Sequence, residues 1–230
     1  MMAQHIREFS KNAHRYDAHT ALQQEIARYL VSKVVSHPQR ILDLGCGSGA
    51  VFKTITWEYE HFIGVDCALA MCQLHPKNEK VEVVCDRFEK EQLLQETYDL
   101  IISSSALQWA CDIEGLVQRI AFTCKEGAFA IFTDKTFETL YQMSGLPIFL
   151  PSAEHLQRVF DKHFTCHQEV KHFHLSFEDN RSLFRYIKNS GVSGGEKRLS
   201  VAQTKKLIET YPHPSLECEV LFVWGKSHYN

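Results

Sequence analysis

An acid followed by three glycines at alternate positions, Asp43-Leu44-Gly45-Cys46-Gly47-Ser48-Gly49, closes the apolar run Ile41-Leu42. Glycine carries no Cβ, so a backbone built of it turns tightly and comes close to a ligand. A helix after such a turn aims its free N–H groups at that ligand. The implied chemistry is the binding of a nucleotide-type cofactor at the carboxyl edge of a parallel sheet. Two further acids end apolar runs downstream: Asp66 after His61-Phe62-Ile63-Gly64-Val65, and Asp86 after Val81-Glu82-Val83-Val84-Cys85.

Two cofactor classes compete for this loop. Gly45-x-Gly47-x-x-Ala50 satisfies the dinucleotide fingerprint, and Asp66 follows about 20 residues on, as a ribose-binding acid would. A nicotinamide cofactor is therefore one reading. S-adenosylmethionine (SAM) is the reading that three features favour. Asp43 would meet the cationic amine of a methionine moiety, whereas it would repel a pyrophosphate. Gly49 completes an Asp-x-Gly-x-Gly-x-Gly form that resembles motif I of class I methyltransferases. Asp86 ends a third strand, as an acid does beside the adenine in those enzymes. A glycine turn that joins two elements without any ligand is the third reading.

The elements that must position these residues alternate along the chain. Asp17 is set to cap a helix over 18–35, with Leu22, Ile26, Tyr29, Leu30 and Val34 as its apolar stripe and His37-Pro38 as its end. Strands are expected at 40–44, 62–65, 81–85, 98–103 and 128–133, with helices after Gly49 and near 68–74, 89–95 and 113–123. This alternation predicts an α/β fold with a doubly wound, mostly parallel sheet of seven strands. Cys166–Phe177 and Leu216–Trp224 have period-two patterning and are expected to form an antiparallel pair at the sheet edge. Between them, 181–212 reads as a helical basic insertion, with Arg181, Arg185, Lys188, Lys197, Arg198, Lys205 and Lys206 against Glu196 and Glu209.

At 230 residues the chain is expected to be one domain, with a helical cap over 1–37 and a cofactor-binding core over 38–133. Its 44% hydrophobic and 23% charged residues are ordinary for a globular protein with a full core. A net charge of −3 gives no bulk attraction to nucleic acid. No leader-like start and no long apolar run is present, so a cytoplasmic protein with no membrane partner is expected. The eight cysteines include no C-x-x-C pair and read as reduced structural thiols. The 13 histidines form no metal-binding pattern, and His172 with His174 on one strand face is too little for a metal site.

Two further segments narrow the reading. They are Tyr16-Asp17-Ala18-His19-Thr20-Ala21-Leu22-Gln23, and Tyr98-Asp99-Leu100-Ile101-Ile102-Ser103-Ser104-Ser105-Ala106-Leu107-Gln108-Trp109. With Ile41–Gly49, Phe149-Leu150-Pro151 and Leu199-Ser200-x-x-Gln203, they resemble the malonyl-acyl-carrier-protein O-methyltransferases of biotin synthesis over nearly the whole chain. That family methylates the free carboxyl of a malonyl group held on acyl carrier protein, so that fatty-acid enzymes can elongate it toward pimeloyl. The sequence departs from the family pattern at Ser103-Ser104-Ser105, where an asparagine is common, and matches only loosely between Thr133 and Phe149.

The motif and the resemblance together imply a set of cofactor residues: Tyr16, Gln23, Asp43, Gly45, Cys46, Gly47, Gly49, Asp66, Cys67, Asp86, Arg87, Phe88 and Ser103. Asp43 and the glycines would take the methionine end and Asp66 the ribose. Asp86 and Phe88 would frame the adenine, and Ser103 would lie under the sulfonium. Tyr16, Gln23, Gln108 and Trp109 would close the pocket around methyl and carboxylate, with Tyr16, Gln108 and Trp109 as the catalytic set. Arg181, Arg185 and Lys188 would dock the acidic carrier protein. S-adenosyl-L-homocysteine is the expected product, with no metal, and a monomer is expected. A methyltransferase of the same fold acting on a small acid, and a non-catalytic SAM-binding protein, are the competing readings.

Overall fold

The computed structural model describes residues 21–190 and 199–230, with side chains as far as Ile187 in the first segment. Five strands run parallel: β1 Arg40–Leu44, β2 His61–Asp66, β3 Val81–Cys85, β4 Tyr98–Ser104 and β5 Cys124–Phe132. β6 Phe164–Ser176 and β7 Ser215–Ser227 are antiparallel, and the sheet order is β3-β2-β1-β4-β5-β7-β6. The helices are α1 Ala21–Val31, α2 Leu69–Leu74, α3 Ile113–Thr123, α4 Glu138–Ser144, α5 Ala153–Asp161, α6 Asn180–Ser190 and α7 Val201–Thr210. This is the expected doubly wound, mostly parallel α/β sheet of seven strands, with the antiparallel pair at its edge.

The strands read as continuous apolar runs because both faces of the sheet are covered. Alternation then sends successive side chains to two cores. Ile41, Phe62, Leu100, Ile102 and Phe222 join the core under α1 and α6, whereas Leu42, Ile63, Ile101, Phe129 and Leu221 join the core under α3 and α5. α1 buries Leu22, Ile26, Ala27, Leu30 and Val31, one stripe at helical spacing. Asp112 caps α3 by accepting from Gly115 N–H at 3.0 Å. Ser200 and Gln203 form a capping box at the start of α7, so part of the Leu199–Gln203 motif has a local structural task.

Several element boundaries differ from those expected. The segment after Gly49 is a 3₁₀ turn, Phe52–Thr54, rather than an α-helix. Its Thr54 hydroxyl bonds back to the Val51 carbonyl at 2.7 Å, and the β-branched run Thr54-Ile55-Thr56 leaves in extended conformation from Ile55. Glu91–Leu94 is likewise 3₁₀. α1 ends at Val31 because i→i−3 bonds from Lys33 and Val34 tighten its last turn, and Asp17, its expected cap, lies outside the described residues. α4 and α5 occupy a stretch in which the sequence suggested no element. The basic insertion resolves into α6 and α7, pinned by Asn180 Nδ2 donating to the carbonyls of Ile208 and Tyr211 at 3.0 and 2.9 Å.

Candidate active site

From β1 the chain winds toward β3 and from β4 toward β7, so a crevice opens above the carboxyl ends of β1 and β4. Gly45 makes the closest approach across it. At φ +80°, a Cβ on Gly45 would lie 2.2 Å from the Ala106 Cβ, so glycine is required there. Gly47, at φ +52°, donates its N–H to Asp66 Oδ2 at 3.0 Å, while Asp66 Oδ1 accepts from Ala68 N–H at 2.8 Å. The loop thus aims the second acid. Burial pushes the Asp66 carboxyl up, and these two N–H groups pull it partly back.

The crevice deepens into a cavity of about 820 Å³, within the range of small-molecule sites. Of the expected residues, Gln23, Asp43, Gly45, Cys46, Gly47, Asp66, Cys67, Arg87, Phe88, Gln108 and Trp109 line it. Asp43 is fully buried, and neither of its oxygens has a hydrogen-bond partner. Burial first, and the Asp66 charge second, push its carboxyl well above the usual range. A buried carboxylate without a partner fits a cationic group, as the amine of a methionine moiety is.

Three expected residues stand outside the lining. Ser103 faces the opposite core from Asp43, because strand alternation puts it on the Ile101 side, and its hydroxyl donates to the Leu44 carbonyl at 2.6 Å. It supports the floor of the cavity and does not line it. Asp86 turns to Lys90, at 2.5 Å, and to the Arg87 N–H, which hold its carboxyl below the usual range. Gly49 shapes the loop from behind, where a Cβ would meet Pro76 at 2.9 Å. Arg181 and Arg185 are exposed on α6, away from the cavity lining; the Lys188 side chain and Tyr16 lie outside the described residues.

The far wall was only partly legible from motifs. Phe132, Phe137, Tyr141, Phe149 and Leu150 join Trp109 there. Trp109 stacks on Phe149 with centroids 5.3 Å apart, and Tyr141 meets Phe149 edge-on at 6.3 Å. Burial pushes the Tyr141 phenol up to about 12, so it stays a neutral donor. Phe137 sits at φ +58°. Phe149-Leu150-Pro151 was a signal for this wall; Phe137 and Tyr141 carried none. Arg87 is tied to Glu89, whose Oε1 also accepts from Cys111 N–H at 2.7 Å, and this pair forms the rim beside Phe88.

The glycine loop leads into a short 3₁₀ turn, so no α-helix N-terminus follows it to receive a pyrophosphate. Among the described residues no group of three His, Cys, Asp or Glu is arranged to hold a metal ion, and no helix is long and apolar enough to cross a membrane.

Comparison with known proteins agrees with this geometry. A family described as "Methyltransferase domain" matches residues 42–132, from β1 to the end of β5. The chain is 29% identical over 213 residues to the malonyl-[acyl-carrier protein] O-methyltransferase of Halorhodospira halophila, covering 83% of this chain and 71% of that protein. It is 32% identical over 144 residues to the protein of the same name from Acetivibrio thermocellus, covering 58% of this chain and half of that protein. The crystal structure of YcgJ from Bacillus subtilis superposes with a TM-score of 0.67 at 14% identity, covering 88% of this chain and 97% of that one. A parallel sheet closed by an antiparallel edge, a glycine loop facing an orphaned acid, and these likenesses give the chain the class I methyltransferase fold, with residues 42–132 similar to a methyltransferase domain.

Proposed function

We propose that this chain transfers the methyl group of SAM to the free carboxyl of malonyl-acyl carrier protein, yielding the methyl ester that is elongated toward pimeloyl in biotin synthesis. The observation that carries the acceptor assignment is the resemblance, over most of the chain, to proteins named for that reaction. SAM, when bound, supplies an electrophilic methyl on a sulfonium. Asp43 would hold the cationic amino end. Asp66, aimed by Gly47 and Ala68, keeps lone pairs free for ribose hydroxyls. Phe88 would flank the adenine, with Cys67 and Arg87 at its edge.

The acceptor carboxylate is already ionised near neutral pH, so no general base is needed. Its oxygen forms the new bond to the methyl carbon while the carbon–sulfur bond breaks and its electron pair leaves with sulfur. No proton moves. Anion and cation become neutral, so water, which stabilises the separated charges, slows the step. Trp109, Phe149, Tyr141 and Phe137 would exclude it, with Gln108 beside them; Tyr16, assigned to the same task by the resemblance alone, lies outside the described residues. Holding the reacting atoms in line contributes up to about 7–11 kcal/mol in well-aligned systems. Arg181, Arg185 and Lys188 on α6 would steer the acidic carrier.

The test is methyl transfer from radiolabelled SAM, with malonyl-acyl carrier protein, malonyl-coenzyme A and free malonate offered in parallel. Base-labile label on the carrier-bound substrate is the expected result. Label only on free malonate would make this a small-acid methyltransferase. Intact SAM binding with no label on any acceptor would overturn the acceptor assignment.

A further inference from the structure

We propose that the hydroxyls of Ser104 and Ser105 hold the acceptor's carboxylate against the methyl group to be transferred. This rests on the carboxyl-methylation reading above and assigns residues to its acceptor.

The three serines that end β4 behave differently. The Ser103 hydroxyl is satisfied by the Leu44 carbonyl and faces away from the cavity. Ser104 and Ser105 both line the cavity, and both hydroxyls are covered from water without any hydrogen-bond partner. An unsatisfied buried hydroxyl costs free energy, and a native structure keeps few of them. Two in succession inside a ligand cavity point to a ligand that completes them.

The backbone has been bent to bring them there. Along a strand, neighbouring side chains point to opposite faces. Asp43 pairs with Ile102 across β1 and β4, so Ser104, two residues on, shares the face of Asp43. Continued alternation would carry residue 105 to the other face. Ser105 instead takes φ +62°, a left-handed conformation costly for a residue with a Cβ. It is held in that conformation from both sides: its N–H donates to the Ala130 carbonyl and its carbonyl accepts from Gln108 Nε2, each at 2.8 Å. Strain retained by surrounding bonds at a cavity wall is the usual mark of a functional constraint.

The chemistry favours hydroxyl donors over a cation. One carboxylate oxygen must attack, and the other can accept from the serines. The carboxylate loses its charge as the bond to carbon forms. A guanidinium clamp would therefore stabilise the reactant anion more than the transition state and slow the step. Neutral hydroxyls orient the group with less of that penalty. Consistent with this division, Arg28 and Lys53 line the cavity but are exposed, and Arg87 is paired with Glu89.

The experiment compares Ser105→Ala, Ser105→Gly and Ser104→Ala with the wild type. Binding of malonyl-acyl carrier protein to the enzyme loaded with S-adenosyl-L-homocysteine is measured by calorimetry, SAM affinity separately, and acceptor KM by methyl transfer. Alanine removes the hydroxyl and keeps the strain; glycine removes both. Loss of acceptor affinity by about tenfold or more in all three variants, with SAM affinity within twofold of the wild type, is expected for hydroxyls that hold a carboxylate. If Ser105→Gly binds the acceptor like the wild type, only the turn matters and the proposal fails. Parallel loss of SAM affinity would assign the hydroxyls to the cofactor and also overturn it. A wild type that neither binds nor methylates the malonyl thioester would instead overturn the carboxyl-methylation reading, and that arm is read first.

Discussion

At the scale of single residues, Asp43, proposed to hold the amine of SAM, is a group whose burial costs stability in the ligand-free fold. Its carboxyl is buried without a partner, so the fold favours the protonated form and the folded pKa lies above the unfolded one. The sign follows: below the usual carboxylate range both states are protonated and Asp43 costs nothing. As the pH rises the unfolded chain ionises first, and the ligand-free fold loses stability until the raised pKa is passed. Asp43→Asn is therefore expected to melt at a higher temperature than the wild type at pH 7–8, with the difference shrinking as the pH falls toward 4. The same variant is expected to lose SAM affinity about tenfold or more, because a charge-assisted contact to the amine is gone. Thermal melts across pH and calorimetric titration with SAM check both halves; an Asn variant that melts lower throughout would contradict the account of Asp43 as a buried carboxyl without a partner.

At the scale of elements, the turn between β5 and α4 carries Phe137 into the aromatic wall, and it is fastened to β7. Thr133 Oγ1 donates to the buried Glu219 Oε1 at 2.6 Å, and Thr136 Oγ1 donates to the Glu219 carbonyl at 3.0 Å. Phe137 N–H donates to the Glu217 carbonyl at 2.8 Å, which secures the left-handed residue in the wall. His172, on the edge strand β6, faces Glu219 Oε2 at 3.6 Å. Glu219→Ala is expected to destabilise the protein by about 1–3 kcal/mol and to raise acceptor KM with SAM affinity unchanged. Glu219→Gln retains an acceptor for Thr133 and should restore acceptor KM. Kinetics well below the melting temperature separate these outcomes; an alanine variant with lower stability but wild-type acceptor KM would leave Glu219 no part in positioning the wall.

For the whole molecule, charge matters locally, since a net charge of −3 gives no general attraction to an acidic partner. Arg181 and Arg185 are exposed on α6, and Lys205 and Lys206 are exposed on the adjoining α7. Reversing charge at Arg181, Arg185 and Lys188 together is expected to raise the KM for the carrier-bound substrate several-fold, more at low than at high salt. SAM affinity should stay as it was. Equal loss of both would mean that the substitutions disturb the fold, and no loss of either would remove α6 from the docking surface.

The order of the strands along the chain, the parallel sheet with its antiparallel edge, and the glycine loop between two acids were determined by the sequence alone. Each is a local property: strand periodicity, a steric need for glycine, and a charge at fixed spacing. The motif before Gln108 and Trp109 likewise led to residues that line the cavity. The tertiary structure decided which side chains face it. Ser103 and Ser104 are neighbours of one type, and only the register of β4 against β1 sends one to the floor and the other to the Asp43 face. Asp86 stands at a motif position, yet Lys90 one turn away takes its carboxylate. Phe137 and Tyr141 enter the wall because a turn in a motif-poor stretch is tied to a strand some 80 residues later in the chain. Pairing across such distances depends on how the cores pack, and no short stretch of sequence carries that information.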